Sequence, residues 1–252
     1  MKQTTIQESF TLPSKGLLYS EQFNPKVTLR SMTTEEEMKR LSYSDSEYEL
    51  LAGIIDDCIL EELPISSYDM CIGDYEFLLH KLRIVSYGNE YKMVIQCPNC
   101  NQIVKSSVDL DLEEVHEFDP EVGLDNEIEL PLTKKKVKLG LQTPRMLDSI
   151  AEKAKEQKKK SKTSTNYEFL YTVMSLIKEV DGKKMNDLNL EPFVRSLPIK
   201  DATYIVQKGA ELNRKVGLDT SVIAKCPECG YEVVTNFRIQ SEFFGPEINW
   251  RW

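Results

Sequence analysis

Apolar positions along this chain fall into alternating and helical runs that predict its elements in turn. Ile6, Phe10 and Leu12 alternate with polar residues, Pro13-Ser14-Lys15-Gly16 reads as a turn, and Val27, Leu29 and Met32 continue as a second strand. Thr33-Thr34-Glu35-Glu36-Glu37 is a helix start. Either Thr can cap it, Glu36 or Glu37 can close a capping box, and three carboxylates suit the positive end of the helix dipole. From 47 to 60, Tyr48, Leu51, Ala52, Ile55, Cys58 and Ile59 recur at helical spacing. Pro64 and Ser66-Ser67 break the chain, and a further helix is expected over 67–85, burying Ile72, Tyr75, Leu78, Leu79, Leu82 and Val85. Residues 91–96 and 103–110 are β-forming.

Beyond 110 the pattern changes. Residues 111–129 are an acidic connector, and 137–141 read as a strand. Thr143-Pro144 opens a helix, with Thr143 as N-cap and Pro144 in the first position, and Met146, Leu147, Ile150 and Ala154 give it an apolar face. Its charged end and 158–166 read as a loop. Helices are expected over 167–177, around 191–195, and from 201 to 215 with Asp201 as cap and Gly217 as stop, with a tight turn at 180–183. Residues 220–225 and 233–239 are strands again.

The two pairs of strands flank matched motifs. Cys97-Pro98-Asn99-Cys100-Asn101 and Cys226-Pro227-Glu228-Cys229-Gly230 each place two thiols in the turn of a hairpin. The residue after the second Cys needs positive φ, which Gly230 takes freely and Asn101 tolerates. A tetrahedral Zn²⁺ takes four ligands, so two knuckles complete one site per chain: Cys97, Cys100, Cys226 and Cys229. Ordinary ribbons separate their knuckles by ~15–20 residues. Here residues 101–225 intervene, so the metal ties the start of a large insertion to its end. A disulfide pair and a redox Cys-x-x-Cys are the competing readings. The redox motif belongs at a helix N-terminus, not between strands.

These patterns give an α+β fold. A small β, zinc-ribbon-like platform is closed by two Cys-x-x-Cys knuckles, with N-terminal helices and an inserted helical subdomain. The organisation is 1–110, an N-terminal α+β region ending in knuckle one; 111–220, a mainly helical insertion; and 221–252, knuckle two and an aromatic tail. In that tail Phe243, Phe244, Ile248, Trp250 and Trp252 include both tryptophans of the chain. Such a tail packs on its own domain or inserts into a neighbour, where Trp and Arg are favoured anchors. Cys58, Cys71 and His80 lie on helical stripes and read as core; His116 is superfluous to a site that four Cys complete.

The net charge is −9. Nucleic-acid-binding zinc modules carry a basic face, so that function is disfavoured. The one dense basic run, 153–162, reads as a solvated helix end rather than a phosphate patch. No apolar run approaches the ~20 residues that span a bilayer. The opening Met1-Lys2-Gln3-Thr4-Thr5 leads to no signal-type segment, so synthesis in a reducing cytoplasm is expected. There is no phosphate loop, no nucleophile elbow and no His-Glu-x-x-His, and a four-Cys zinc has no open position for water, so no enzyme is expected.

The order of features resembles a known family. Phe10-Thr11-Leu12-Pro13-Ser14-Lys15-Gly16, then 29–37, 72–83, Ser86-Tyr87-Gly88 and the first knuckle are similar to the T-even-type baseplate hub protein family of contractile-tailed phages. So are Leu197-Pro198-Ile199-Lys200-Asp201, Val216-Gly217-Leu218-Asp219, the second knuckle and Phe243-Phe244. Members are also described as baseplate hub assembly chaperones. The resemblance implies a non-enzymatic component of the hub or inner baseplate in the virion tail, with other tail proteins, or copies of itself, as partners. The alternatives are a chaperone absent from the mature virion, and a zinc-ribbon nucleic-acid-binding module. Only the cysteines carry over as site residues.

Overall fold

The computed structural model describes residues 5–161, 165–237, 239 and 241–244. The chain opens on an antiparallel hairpin, β1 (Gln7–Thr11) with β2 (Lys26–Arg30), in which Phe10 faces Val27. Helix α1 (Thr34–Arg40) starts as its sequence dictates: the Glu36 carboxylate accepts from the Thr33 backbone N–H at 2.7 Å, closing the capping box. Helix α2 (Glu47–Cys58) buries Leu51, Ala52, Ile54, Ile55 and Cys58.

The expected helix over 67–85 is two pieces, a 3₁₀ turn at Ser67–Asp69 and helix α3 (Ile72–Tyr87). The break has a tertiary cause. The Ile72 N–H donates to the Gln142 carbonyl at 2.9 Å, and a Cβ on Gly73 would lie 1.9 Å from the Val216 carbonyl oxygen, so α3 begins where it meets distant backbone. One turn in, the buried Asp74 carboxylate accepts from Ser14 N–H (2.9 Å), the Ser14 hydroxyl and the Tyr19 hydroxyl (2.5 Å), pinning the first turn of the chain to this helix. Strands β3 (Glu90–Gln96) and β4 (Ile103–Asp109) follow as a second hairpin.

The stretch between the knuckles holds helices α4 (Pro144–Ser161), α5 (Tyr167–Leu176), α6 (Asp187–Ser196) and α7 (Ile199–Asn213). It also holds strands β5 (Val115–His116), β6 (Glu127–Glu129), β7 (Lys136–Leu139), β8 (Ile177–Val180) and β9 (Lys183–Lys184). The last four form one antiparallel sheet in the order β6-β7-β8-β9, which a mainly helical reading understates. These strands are two to four residues long, too short for alternation to register, and Ile177 extends the apolar stripe of α5 although it begins β8.

Three further details differ from the pattern. Asp201 does not cap its own helix: it is buried and accepts from Leu132 N–H (2.8 Å) and from the Thr133 N–H (2.9 Å) and hydroxyl (2.7 Å). Gly217 does not stop α7. It lies in β10 (Gly217–Leu218), paired with β5, at φ +123 and in contact with Gly73. Helix α4 runs on through Lys158–Lys160 to Ser161, where a loop was expected.

Two main apolar cores result. One gathers Val27, Leu29, the α2 and α3 faces and Leu110 with Phe237, Ile239, Phe243 and Phe244, so early and late parts of the chain share it. The other is built from residues 130–212 alone. Helix α4 lies between them, where Asp148 accepts from Glu49 N–H and the Tyr68 hydroxyl (both 3.0 Å) and Arg145 forks onto Asp69 at 2.6 and 2.8 Å. Among the described residues, no helix is long and apolar enough to cross a membrane.

Candidate metal centre

A third, small core joins the β3–β4 hairpin to β11 (Ser221–Lys225) and β12 (Glu232–Asn236), which pair with Ala224 opposite Val233. Alternation aims Ile95 and Val104 of one hairpin and Ala224 and Val233 of the other inward, and each strand pair ends in a knuckle. The two turns have the same backbone. In the first, Cys97 N–H donates to the Gln102 carbonyl and Asn101 N–H to the Cys97 carbonyl, both at 2.8 Å. In the second, Cys226 N–H donates to Tyr231 and Gly230 N–H to Cys226, both at 2.9 Å. Asn101 and Gly230 take φ of 60° and 71°, the left-handed conformation these turns require.

The turns set four sulfurs against one another. Cys97 and Cys229 Sγ are 3.7 Å apart, Cys100 and Cys226 Sγ 3.6 Å, and all four ligand atoms lie within 4.8 Å of one another. Four sulfurs at about 2.3 Å from one zinc would form a tetrahedron with edges of about 3.8 Å. Disulfide sulfurs lie about 2.05 Å apart, and all four cysteines are free. The donor set and spacing therefore fit a tetrahedral thiophilic metal ion. The thiols are not equivalent. A hydrogen bond from the Asn99 side chain and another from Tyr231 N–H hold Cys229 down to about 6. At Cys100 a backbone bond from Gln102 pulls down, but desolvation and the neighbouring sulfurs outweigh it and push the thiol up to about 12. One thiolate forms readily at Cys229 beside Cys100, which resists a second charge, and that is what a cation would relieve.

The family described as T4 bacteriophage base plate protein matches residues 5–245. The chain belongs to that family. No curated protein and no solved structure matches it.

Other residues singled out by sequence are dispersed in this baseplate-family chain. Cys58 is fully buried on α2, its thiol pushed up to about 12 by desolvation. Cys71 caps α3 beside the Tyr19 hydroxyl at 3.5 Å. His116 lies on β5 opposite Gly217, outside the cysteine group. In the basic run, Lys155 pairs with Asp45 (3.0 Å), Lys153 with Asp187 (3.5 Å) and Lys160 with Glu156 (3.2 Å), the pattern of a solvated helix end.

Phe243 and Phe244 correct the view of them as partner-binding residues: each is 1% exposed and packs into its own molecule. Ile248, Trp250 and Trp252 lie outside the described residues. His80 explains part of the packing. Its ring lies against both Phe237 (6.4 Å, 21°) and Phe243 (6.2 Å, 15°), whose own rings are 5.6 Å apart, and among the described residues neither ring nitrogen has a hydrogen-bond partner. Sequence reasoning placed His80 in the core but could not pair it with aromatics more than 150 positions away.

Proposed function

We propose that this chain is a non-enzymatic structural component of a contractile-tailed phage baseplate, in the hub or inner baseplate, built into the virion tail among other baseplate proteins. The family match over residues 5–245 carries this reading. Quantitative mass spectrometry of gradient-purified virions tests it. Peptides at a fixed low stoichiometry to the tube and sheath proteins are expected. Absence from particles, with presence in assembly intermediates, would make the chain an assembly chaperone instead.

Within that role, Cys97, Cys100, Cys226 and Cys229 hold one Zn²⁺ per chain. Four thiolates leave no position for water, so the ion acts as a clasp. The sulfur spacing supports this reading. Metal analysis of protein purified without chelator should return one zinc per chain, and Cys226→Ser should lose it; full retention by that variant would refute a shared site.

Ile248, Trp250 and Trp252, which follow a segment anchored by buried Phe243 and Phe244, supply the grip on a neighbouring baseplate protein. Trp250→Ala with Trp252→Ala should block tail assembly while the chain stays folded. Normal tails built from that variant would remove the docking role.

A further inference from the structure

The apolar stripe expected on α4 is only partly used. Met146 and Ile150 stay half-buried, and neither packs into either main core. They line an open groove of about 330 Å³ together with residues of α5, β8 and the start of α6. Met174 and Met185, half-buried as well, lie across from them, so three of the chain's eight methionines meet there. Methionine is unbranched and polarisable, and a surface built from it reshapes around different apolar side chains. Arg145, Lys153 and Lys178 bring positive charge to the same groove, against one lining carboxylate, Asp187. Arg145 is committed to Asp69, and Lys153 stands 3.5 Å from Asp187. Lys178 is left over. Among the described residues no hydrogen bond or ion pair engages it, and the neighbouring Glu179 is turned to Lys138 at 3.8 Å. Its head is exposed but its stem is seated. A Cβ on Gly140 would lie 2.0 Å from Lys178 Cε and 2.7 Å from its Cγ, so the side chain runs along bare backbone at Gly140.

The groove thus joins an adaptable apolar floor to one uncompensated positive charge at its edge. An apolar side chain entering it leaves water, and a carboxylate next to that side chain pairs with Lys178. A basic segment would instead meet three like charges, which selects against it. The volume is at the small end for a ligand pocket and open to solvent, so it seats a side chain or two and does not enclose an acyl chain. We infer that this groove docks an acidic segment of a partner protein, with one apolar side chain seated among Met146, Met174 and Met185 and a neighbouring Asp or Glu paired to Lys178. The surface uses no residue of the cysteine group and requires nothing of the chain's place in the tail.

The test is an NMR titration of the full chain carrying ¹³C-labelled methionine methyls. The probes are acetyl-Glu-Leu-Glu-amide, acetyl-Lys-Leu-Lys-amide, acetyl-Glu-Ser-Glu-amide and decanoate. The acidic leucine peptide is expected to give saturable shifts at Met146, Met174 and Met185 and to leave the remaining methionines, which serve as internal controls, unmoved. Lys178→Gln, on an exposed head, should weaken that binding about threefold to fivefold. Lys178→Glu should turn the preference toward the basic leucine peptide. Met146→Gln, at a position outside both main cores, should weaken binding of either leucine peptide about tenfold. Equal or tighter binding of the basic or the serine peptide by the wild type, tighter binding of decanoate, or no saturable shift at those three methyls would overturn the assignment. So would a preference for the acidic peptide that survives Lys178→Glu.

Discussion

Two residues of α3, His80 and Glu76, carry opposite proton linkages. Burial, with Lys81 and Arg83 nearby, depresses His80 from 6.5 to about 3, so between those values the folded chain binds fewer protons than the unfolded one. Its contribution to stability is complete above pH 6.5 and is lost as pH falls toward 3. Glu76 is raised from 4.5 to about 7, so the folded chain binds more protons there. Its contribution is complete below pH 4.5 and is lost as pH rises through 7. Between pH 5 and 6.5 the two slopes, each up to about 1.4 kcal/mol per pH unit, oppose one another. Denaturant unfolding of His80→Leu should therefore show stability rising as pH drops across that window, and Glu76→Gln should show it falling. Comparing variants removes the contribution they share from the cysteine cluster. Parallel pH profiles for the two variants would mean that at least one of the two groups titrates at its ordinary value in the folded chain.

At the scale of elements, close backbone approaches and matched turns decide the architecture. Gly73 sits where α3 meets Val216 and Gly217, with no room for a methyl group at 1.9 Å from a carbonyl oxygen. Gly73→Ala should cost about 3 kcal/mol or more, read from chemical denaturation, because the obstacle is backbone and cannot rotate away. Gly230 is different: nothing within 4 Å opposes a Cβ there, and only its φ of +71 does. Gly230→Asn, copying the residue at position 101 in the sister knuckle, should leave metal content at one per chain and shift stability by about 1 kcal/mol or less. Loss of metal in that variant would show that the two turns are not interchangeable.

For the whole molecule, the proposed clasp and the long-range core act on the same segments. The first core needs both the early helices and Phe237 to Phe244, whereas the core of residues 130–212 needs neither. Removing metal with a chelator should therefore loosen the chain unevenly. Hydrogen exchange should accelerate in β3–β4 and β11–β12 and change little in α5 and α7. Overall stability should fall by several kcal/mol, on the order of the ~3–5 associated with a cross-link closing a long loop. Uniform acceleration across both cores would mean that the chain unfolds as one unit.

Local chemistry was legible in the sequence because it is written in neighbouring residues. The capping box at Thr33 and Glu36, the Pro144 helix start, the hairpins around the knuckles and the four cysteines all follow from spacing and residue type. What joins distant segments was decided by tertiary structure. The break before α3 depends on Gln142 and Val216, and Asp201 caps backbone at 132–133 instead of its own helix. Phe243 and Phe244 close a core begun by β2 and α2. The physical reason is the same in each case. Periodicity and capping report the energy of a chain with itself over a few residues, whereas desolvation and packing depend on which remote surface excludes the water.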